Sequence, residues 1–184
     1  MQHRTPDPQD LSPAKAARRQ RILDAAGQVF LRHGFRGATM EAIAEAASLS
    51  KVTLYSYFRD KDAVFDAVVA RMFAEIRAAF LTALAASGSL RSRVAGALLA
   101  KHGMVFDTVG SSPFAAELLE KRPPVADRAR LLDRELTEAL AVALGDAQAA
   151  RVLFDGAMGI AHAAADRHAL AADITRLVAA LVAG

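Results

Sequence analysis

The chain has 184 residues, no cysteine, and a net charge of +3. Disulfides and thiolate chemistry are excluded, no apolar run approaches the roughly 20 residues of a membrane helix, and MQHRTPDPQDLSP lacks a signal-peptide core, so a soluble cytoplasmic protein is expected. Residues 1–62 hold ten Lys/Arg against seven Asp/Glu while the rest balances at thirteen against thirteen, so the excess points either to a polyanion partner for that third alone or to ordinary surface charge.

The chain is rich in alanine, and apolar residues recur at three- and four-residue spacing without period-two runs, which predicts an all-α protein. Residues 1–12, with Pro6 and Pro8 among polar residues, read as a disordered tail. Ser12-Pro13 reads as a helix start, and Ile22, Ala26, Val29, Phe30 and His33 follow at helical spacing up to Gly34, which ends the helix. Thr39 caps a short helix over MEAIAEAA. Ser50 caps another over KVTLYSYF, leaving amides at its start suited to phosphate. Asp60 caps a long helix from Lys61 to about Ala86, striped by Val64, Phe65, Val68, Met72, Phe73, Ile76, Phe80 and Leu84.

Further helices follow. One carries Leu90, Val94, Leu98 and Val105. A short one carries Phe114, Leu118 and Leu119 and is stopped by Pro123-Pro124. Another carries Leu132, Leu136, Leu140 and Leu144 and ends near Gly145. Residues 147–168 and 171–183 form the last pair. The chain divides into residues 13–62 and 63–184, two modules with a helical junction.

Two short helices after a longer one match a helix-turn-helix. In the second, Leu54 and Phe58 share one face, while Lys51, Val52 and Tyr55 share another. The latter offers a cation, a methyl-bearing group and an aromatic ring to phosphates, base edges and thymine methyls of a major groove. Tyr55 and Tyr57 are the chain's two tyrosines, and their angular separation keeps both rings out of one core. Tyr57 suits a phosphate contact. Lys61, a cation in a helix's first turn, opposes the helix dipole and suits an arriving anion. Helical spacing alone leaves a second reading open, in which Asp60 and Asp62 neutralise Lys61 and the tyrosines roof the core. Arg18, Arg19 and Arg21 touch flanking backbone or form a solvated basic helix start.

The run GATMEAIAEAASLSKVTLYSYFRDKDAVF, Gly37 to Phe65, resembles the DNA-binding signature of the tetracycline-repressor (TetR) family. Thr39, Ile43-Ala44, Ser50, Thr53-Leu54-Tyr55, Tyr57-Phe58 and Lys61 fall on the pattern without gaps. The resemblance implies Lys51, Val52, Thr53 and Tyr55 as groove-facing residues and Thr39, Tyr57 and Lys61 as phosphate contacts, with Ser50 capping between them. Ser48 departs from the usual turn glycine, implying a strained turn or a different type. Glu41 also departs from the pattern. It sits unfavourably near phosphate or accepts from a cytosine amine.

By the same resemblance, residues 63–184 form a helical ligand-binding and dimerisation domain. Gly156, Gly159 and Ala163, with Ile174, Leu177, Val178 and Leu181, are the candidate interface of a homodimer on a palindromic operator. Phe80, His102, Phe106, Phe114, Met158 and His162 are candidate ligand-lining residues, although aromatic and methionine stripes are usually core. Asp155, His162 and Asp166 form a polar stripe facing a pocket, an interface or solvent. The reading is a ligand-released repressor without cofactor or metal. Its alternatives are a DNA-binding protein that needs no ligand and, behind that, a small-molecule-binding protein or enzyme, whose only metal-like cluster is Asp166-Arg167-His168 with His162.

Overall fold

The computed structural model describes residues 12–110, 112–114 and 123–183. Eight helices and no strand occur among them: α1 (Pro13–Gly37), α2 (Met40–Ala46), α3 (Lys51–Tyr57), α4 (Lys61–Leu84), α5 (Leu90–Gly110), α6 (Pro123–Leu144), α7 (Ala147–Ala163) and α8 (Arg167–Leu181). The all-α expectation holds. The expected tail lies outside the described residues except for Ser12, as do Leu118 and Leu119.

Several boundaries differ from the expected ones, each for a local reason. Ser12 stands at the start of α1, but its side chain makes no capping bond; its carbonyl accepts from the Ala16 amide. Pro123 opens a helix, because proline's fixed φ and missing N–H suit a first turn as well as a break; the short helix expected before it lies outside the described residues. The final pair divides at residues 164–166, since Asp166 caps α8 by accepting from the Ala169 amide at 2.8 Å. Asp166 is therefore a cap.

The described residues fall into two compact units. The first comprises residues 12–72 with 112–114, so it keeps the first half of α4, ten residues beyond the expected boundary. Its core joins Ile22, Leu23, Ala26 and Phe30 of α1, Ile43 and Ala44 of α2, Leu54 of α3 with Phe58 beyond it, and Val64, Phe65 and Val69 of α4. Phe30 and Phe35 both meet the Phe65 ring edge-on, at 5.1 and 5.2 Å between centroids. Seven-residue helices such as α2 and α3 are unstable alone. Each buried Leu, Ile or Phe contributes about 1.5–3 kcal/mol, and burying Ile43, Leu54 and Phe58 holds them.

The second unit comprises residues 73–110 and 123–183. There α6 packs on α7, α5 on α8 and α7 on α8. Leu98, Leu136, Leu140, Leu153, Ile174 and Val178 are at its centre. Gly145, with φ +70, ends α6 as expected.

Candidate nucleic-acid interface

Side-chain caps define both short helices. Thr39 accepts from the Ala42 amide through its hydroxyl at 3.1 Å, and Ser50 accepts from the Thr53 amide at 3.1 Å. The Ser50 and Thr53 hydroxyls also bond each other at 2.9 Å, so neither is wholly free for a ligand. Asp60 caps α4 by accepting from the Ala63 amide.

The turn between α2 and α3 is a Schellman motif. The Ser48 amide donates to the Glu45 carbonyl and the Leu49 amide to the Ala44 carbonyl, both at 2.9 Å. Such a turn requires a left-handed residue, and Ser48 supplies it with φ +54, the one non-glycine positive φ among the described residues. Serine therefore keeps the turn that glycine usually makes and carries its strain. Ser48→Gly relieves a left-handed penalty of about 1–2 kcal/mol and adds chain entropy to the unfolded state. A net gain of about 0.5–1 kcal/mol is expected in denaturant melts. An unchanged or lower midpoint would show that Ser48 carries no strain.

The turn presents α3 with one face inward. Leu54 and Phe58 are buried, whereas Val52 is 81% and Tyr55 49% exposed. Lys51 is exposed beside them, Thr53 and Tyr57 are half-buried, and Thr39 and Ser50 are exposed at their helix starts. Arg18 and Arg21 are exposed on α1. Arg19 instead lies over the Phe58 ring at 5.3 Å, its guanidinium pKa lowered by burial and then by Arg71.

Lys61 has partners inside the fold, beside the expected phosphate. Its ammonium donates to the carbonyls of Phe35 at 2.7 Å and Ala38 at 2.8 Å and sits 4.6 Å from the Phe35 ring centre. Carbonyl oxygens at the end of α1 and just after it offer negative charge to this first-turn cation, and two of its three donors are committed inside the fold. Glu41 has a partner that the sequence did not reveal. Its carboxylate pairs with Lys51 at 2.8 Å, which neutralises the leading cation of α3 in the free protein. The signal for this was present in both residues heading adjacent short helices, but spacing along one helix does not reveal a pair formed across a turn.

The ligand and interface candidates separate in space. Phe114 belongs to the first unit, where its ring faces Gly34. Phe80 is fully buried core and Phe106 is half-buried. His102 is 2% exposed, and its Nε2 has no hydrogen-bond partner among the described residues. Burial, then the charges of Lys101 and His162, push its pKa down to about 3. Beside it Lys101 pairs with Asp133 at 2.9 Å and lies 4.4 Å from the Phe154 ring centre. Met158 and His162 are exposed on α7, where the His162 ring nitrogen meets the Met158 carbonyl at 2.8 Å. Of the six candidates, only Met158 lines the open groove of about 610 Å³ between α6 and α7, with Asp133, Thr137, Phe154 and Asp155 among its walls.

Among the interface candidates, Ile174 and Val178 are fully buried within the protomer, so their apolar periodicity reports this chain's own core. Gly156 accommodates Leu177, whose Cδ2 would lie 2.9 Å from a Cβ there. Gly159, Ala163 and Leu181 remain exposed.

A capped helix pair joined by a Schellman turn, with its second helix buried on one side and open on the other, defines a helix-turn-helix unit. Residues 22–68 match the family model described as bacterial regulatory proteins, tetR family. Over these residues the chain is similar to the DNA-binding part of that family. The HTH-type transcriptional repressor KstR2 of Rhodococcus jostii is 35% identical over 65 residues, covering 35% of this chain and 32% of that protein. The HTH-type transcriptional regulator UidR of Escherichia coli K12 is 41% identical over 51 residues, covering 28% and 26%. The matched stretch thus spans about a third or less of these curated relatives. A crystal structure of a TetR-like transcriptional regulator from Rhodococcus sp. RHA1 is 28% identical, covers 91% of this chain and 96% of its own, and superposes with a TM-score of 0.67. These similar proteins are transcriptional regulators by name. No helix among the described residues is long and apolar enough to cross a membrane.

Proposed function

We propose that the protein is a cytoplasmic, sequence-specific repressor that binds a palindromic operator as a homodimer and is released by a small, mainly apolar ligand. The observation that carries the DNA-binding reading is the open face of α3. Val52 at 81% and Tyr55 at 49% exposure, beside the Lys51 ammonium, are an unusual group to leave in water on a helix too short to stand alone. They suit a groove that offers acceptors and thymine methyls. Gly159, Ala163 and Leu181, with the neighbouring exposed Val152 and Met158, supply small and apolar groups for pairing two protomers. Pairing sets two α3 helices about one DNA turn, roughly 34 Å, or a multiple of it apart.

The ligand reading is supported by the His102 Nε2, buried without a hydrogen-bond partner among the described residues, since such atoms are rare in finished cores. A ligand would have to favour the DNA-incompetent state to release the operator. The burial of Phe80 favours the ligand-independent alternative at that position.

Selection of bound duplexes from a random pool tests the reading, and a palindromic consensus is expected. Lys51→Ala and Tyr55→Ala should each weaken binding to that consensus by about tenfold, the scale of one lost base contact, with the melting temperature unmoved. Full operator affinity in both variants would remove α3 from the groove.

A further inference from the structure

Glu41 is the one acidic side chain joined to the open face of α3, and its place there needs a reason. A carboxylate facing a polyanion weakens binding to every sequence alike unless a base offers it a proton. We infer that Glu41 and Lys51 act as one reading unit that selects a C·G base pair in a fixed orientation, cytosine toward Glu41 and guanine toward Lys51. This rests on the DNA-binding reading above and adds a base preference to it.

The geometry is one of matched neighbours. Glu41 Oε1 and Lys51 Nζ lie 2.8 Å apart, with side chains 54% and 59% exposed, so an acceptor and a donor stand side by side at the surface. The carboxylate is held below the usual range first by the Lys51 hydrogen bond, then by its own backbone amide, and stays ionised. On the major-groove edge of a C·G pair, the cytosine N4 amine stands next to guanine O6. The two are already joined by a Watson–Crick N–H···O bond of about 2.9 Å. The second N4 hydrogen and the free lone pairs of O6 and N7 face the groove. Donor therefore meets acceptor twice, and the protein pair need not separate to bind. Committing one ammonium hydrogen to Glu41 leaves Lys51 two more, one for O6 and one for N7.

Other pairs fit less well. An A·T pair sets the adenine N6 amine beside thymine O4, but it gives Lys51 a single acceptor flanked by the C5 methyl. The inverted G·C pair is the worst case. It places the carboxylate against O6 and N7 and the ammonium against an amine, so like meets like at both atoms. Orientation within the pair is thus the signature of this unit, which a lone lysine reading guanine would not impose so strongly.

The test uses the full-length protein and its Glu41→Ala and Glu41→Gln variants in parallel selections from a random duplex pool. Affinities are then measured on the wild-type consensus and on a duplex with the assigned pair inverted in both half-sites. For the wild type, inversion should cost tenfold or more. In Glu41→Ala that cost should fall to about threefold or less, while substitutions elsewhere in the site keep their cost. Glu41→Gln should move the preference at the same position from cytosine toward adenine, since an amide pairs with adenine N6 and N7. A consensus identical in all three proteins, or an inversion cost that survives in Glu41→Ala, overturns the inference while leaving DNA binding intact. Enrichment of no duplex by the wild type overturns the DNA-binding reading itself and this inference with it.

Discussion

Gly34→Ala should destabilise the first unit by about 3 kcal/mol, measured as a shift of the denaturant midpoint at constant m-value. Gly34 has φ +67 and ψ 173, in a corner of backbone space that only glycine enters freely. A side chain held there costs about 1–3 kcal/mol from backbone strain alone. A Cβ would also lie 3.0 Å from Cδ1 of the Phe114 ring, which must then move. Relaxing the strain by changing φ is not free either. The Gly34 carbonyl accepts from the Ala38 amide at 3.1 Å, and the bend directs Phe35 toward the Phe65 ring. With total stabilities of about 5–15 kcal/mol, such a loss populates unfolded chain at physiological temperature. DNA binding in this variant should fall with the folded fraction and recover on cooling. A loss below about 1 kcal/mol would show that the bend tolerates an ordinary residue.

Gly34 was legible in the sequence because its signal is local. The same holds for Thr39, Ser50 and Asp60, whose capping bonds reach three residues along the chain. Periodicity likewise gave the inward face of α3, since Leu54 and Phe58 are four apart and both are buried. What stayed hidden was every interaction between distant positions. Lys61 reaches carbonyls 26 and 23 residues earlier, and nothing near it in the chain announces them. Ile174 and Val178 show a different limit: an apolar stripe establishes that a face is covered, not whether this chain or a second copy covers it. Pro123 is ambiguous for a third reason, since one rigid φ suits both the end of one segment and the first turn of the next.

Removing the Lys61 ammonium tests the largest of these distant interactions. Lys61→Ala is expected to cost about 3 kcal/mol, because hydrogen bonds to a charged group contribute about 1.5–3 kcal/mol each and two are lost. The ammonium's position by the Phe35 ring adds a smaller term of about 0.5–1 kcal/mol. The Phe35 and Ala38 carbonyls would be left partly shielded from water, which adds to the loss. Lys61→Met separates the stem from the head group, since it keeps an apolar stem and removes the ammonium with its carbonyl bonds and its ring contact; it should retain most of the destabilisation if the ammonium's interactions dominate. A Lys61→Ala variant as stable as the wild type would sink the structural role. The salt dependence of DNA binding by the folded variant then decides what the third N–H does. A slope of log affinity against log salt shallower by about one unit adds a phosphate contact to the structural role. An unchanged slope confines Lys61 to fastening the end of α1 to the start of α4. In that case the weak affinity of the variant follows from a recognition helix no longer held in place, without any lost contact to DNA.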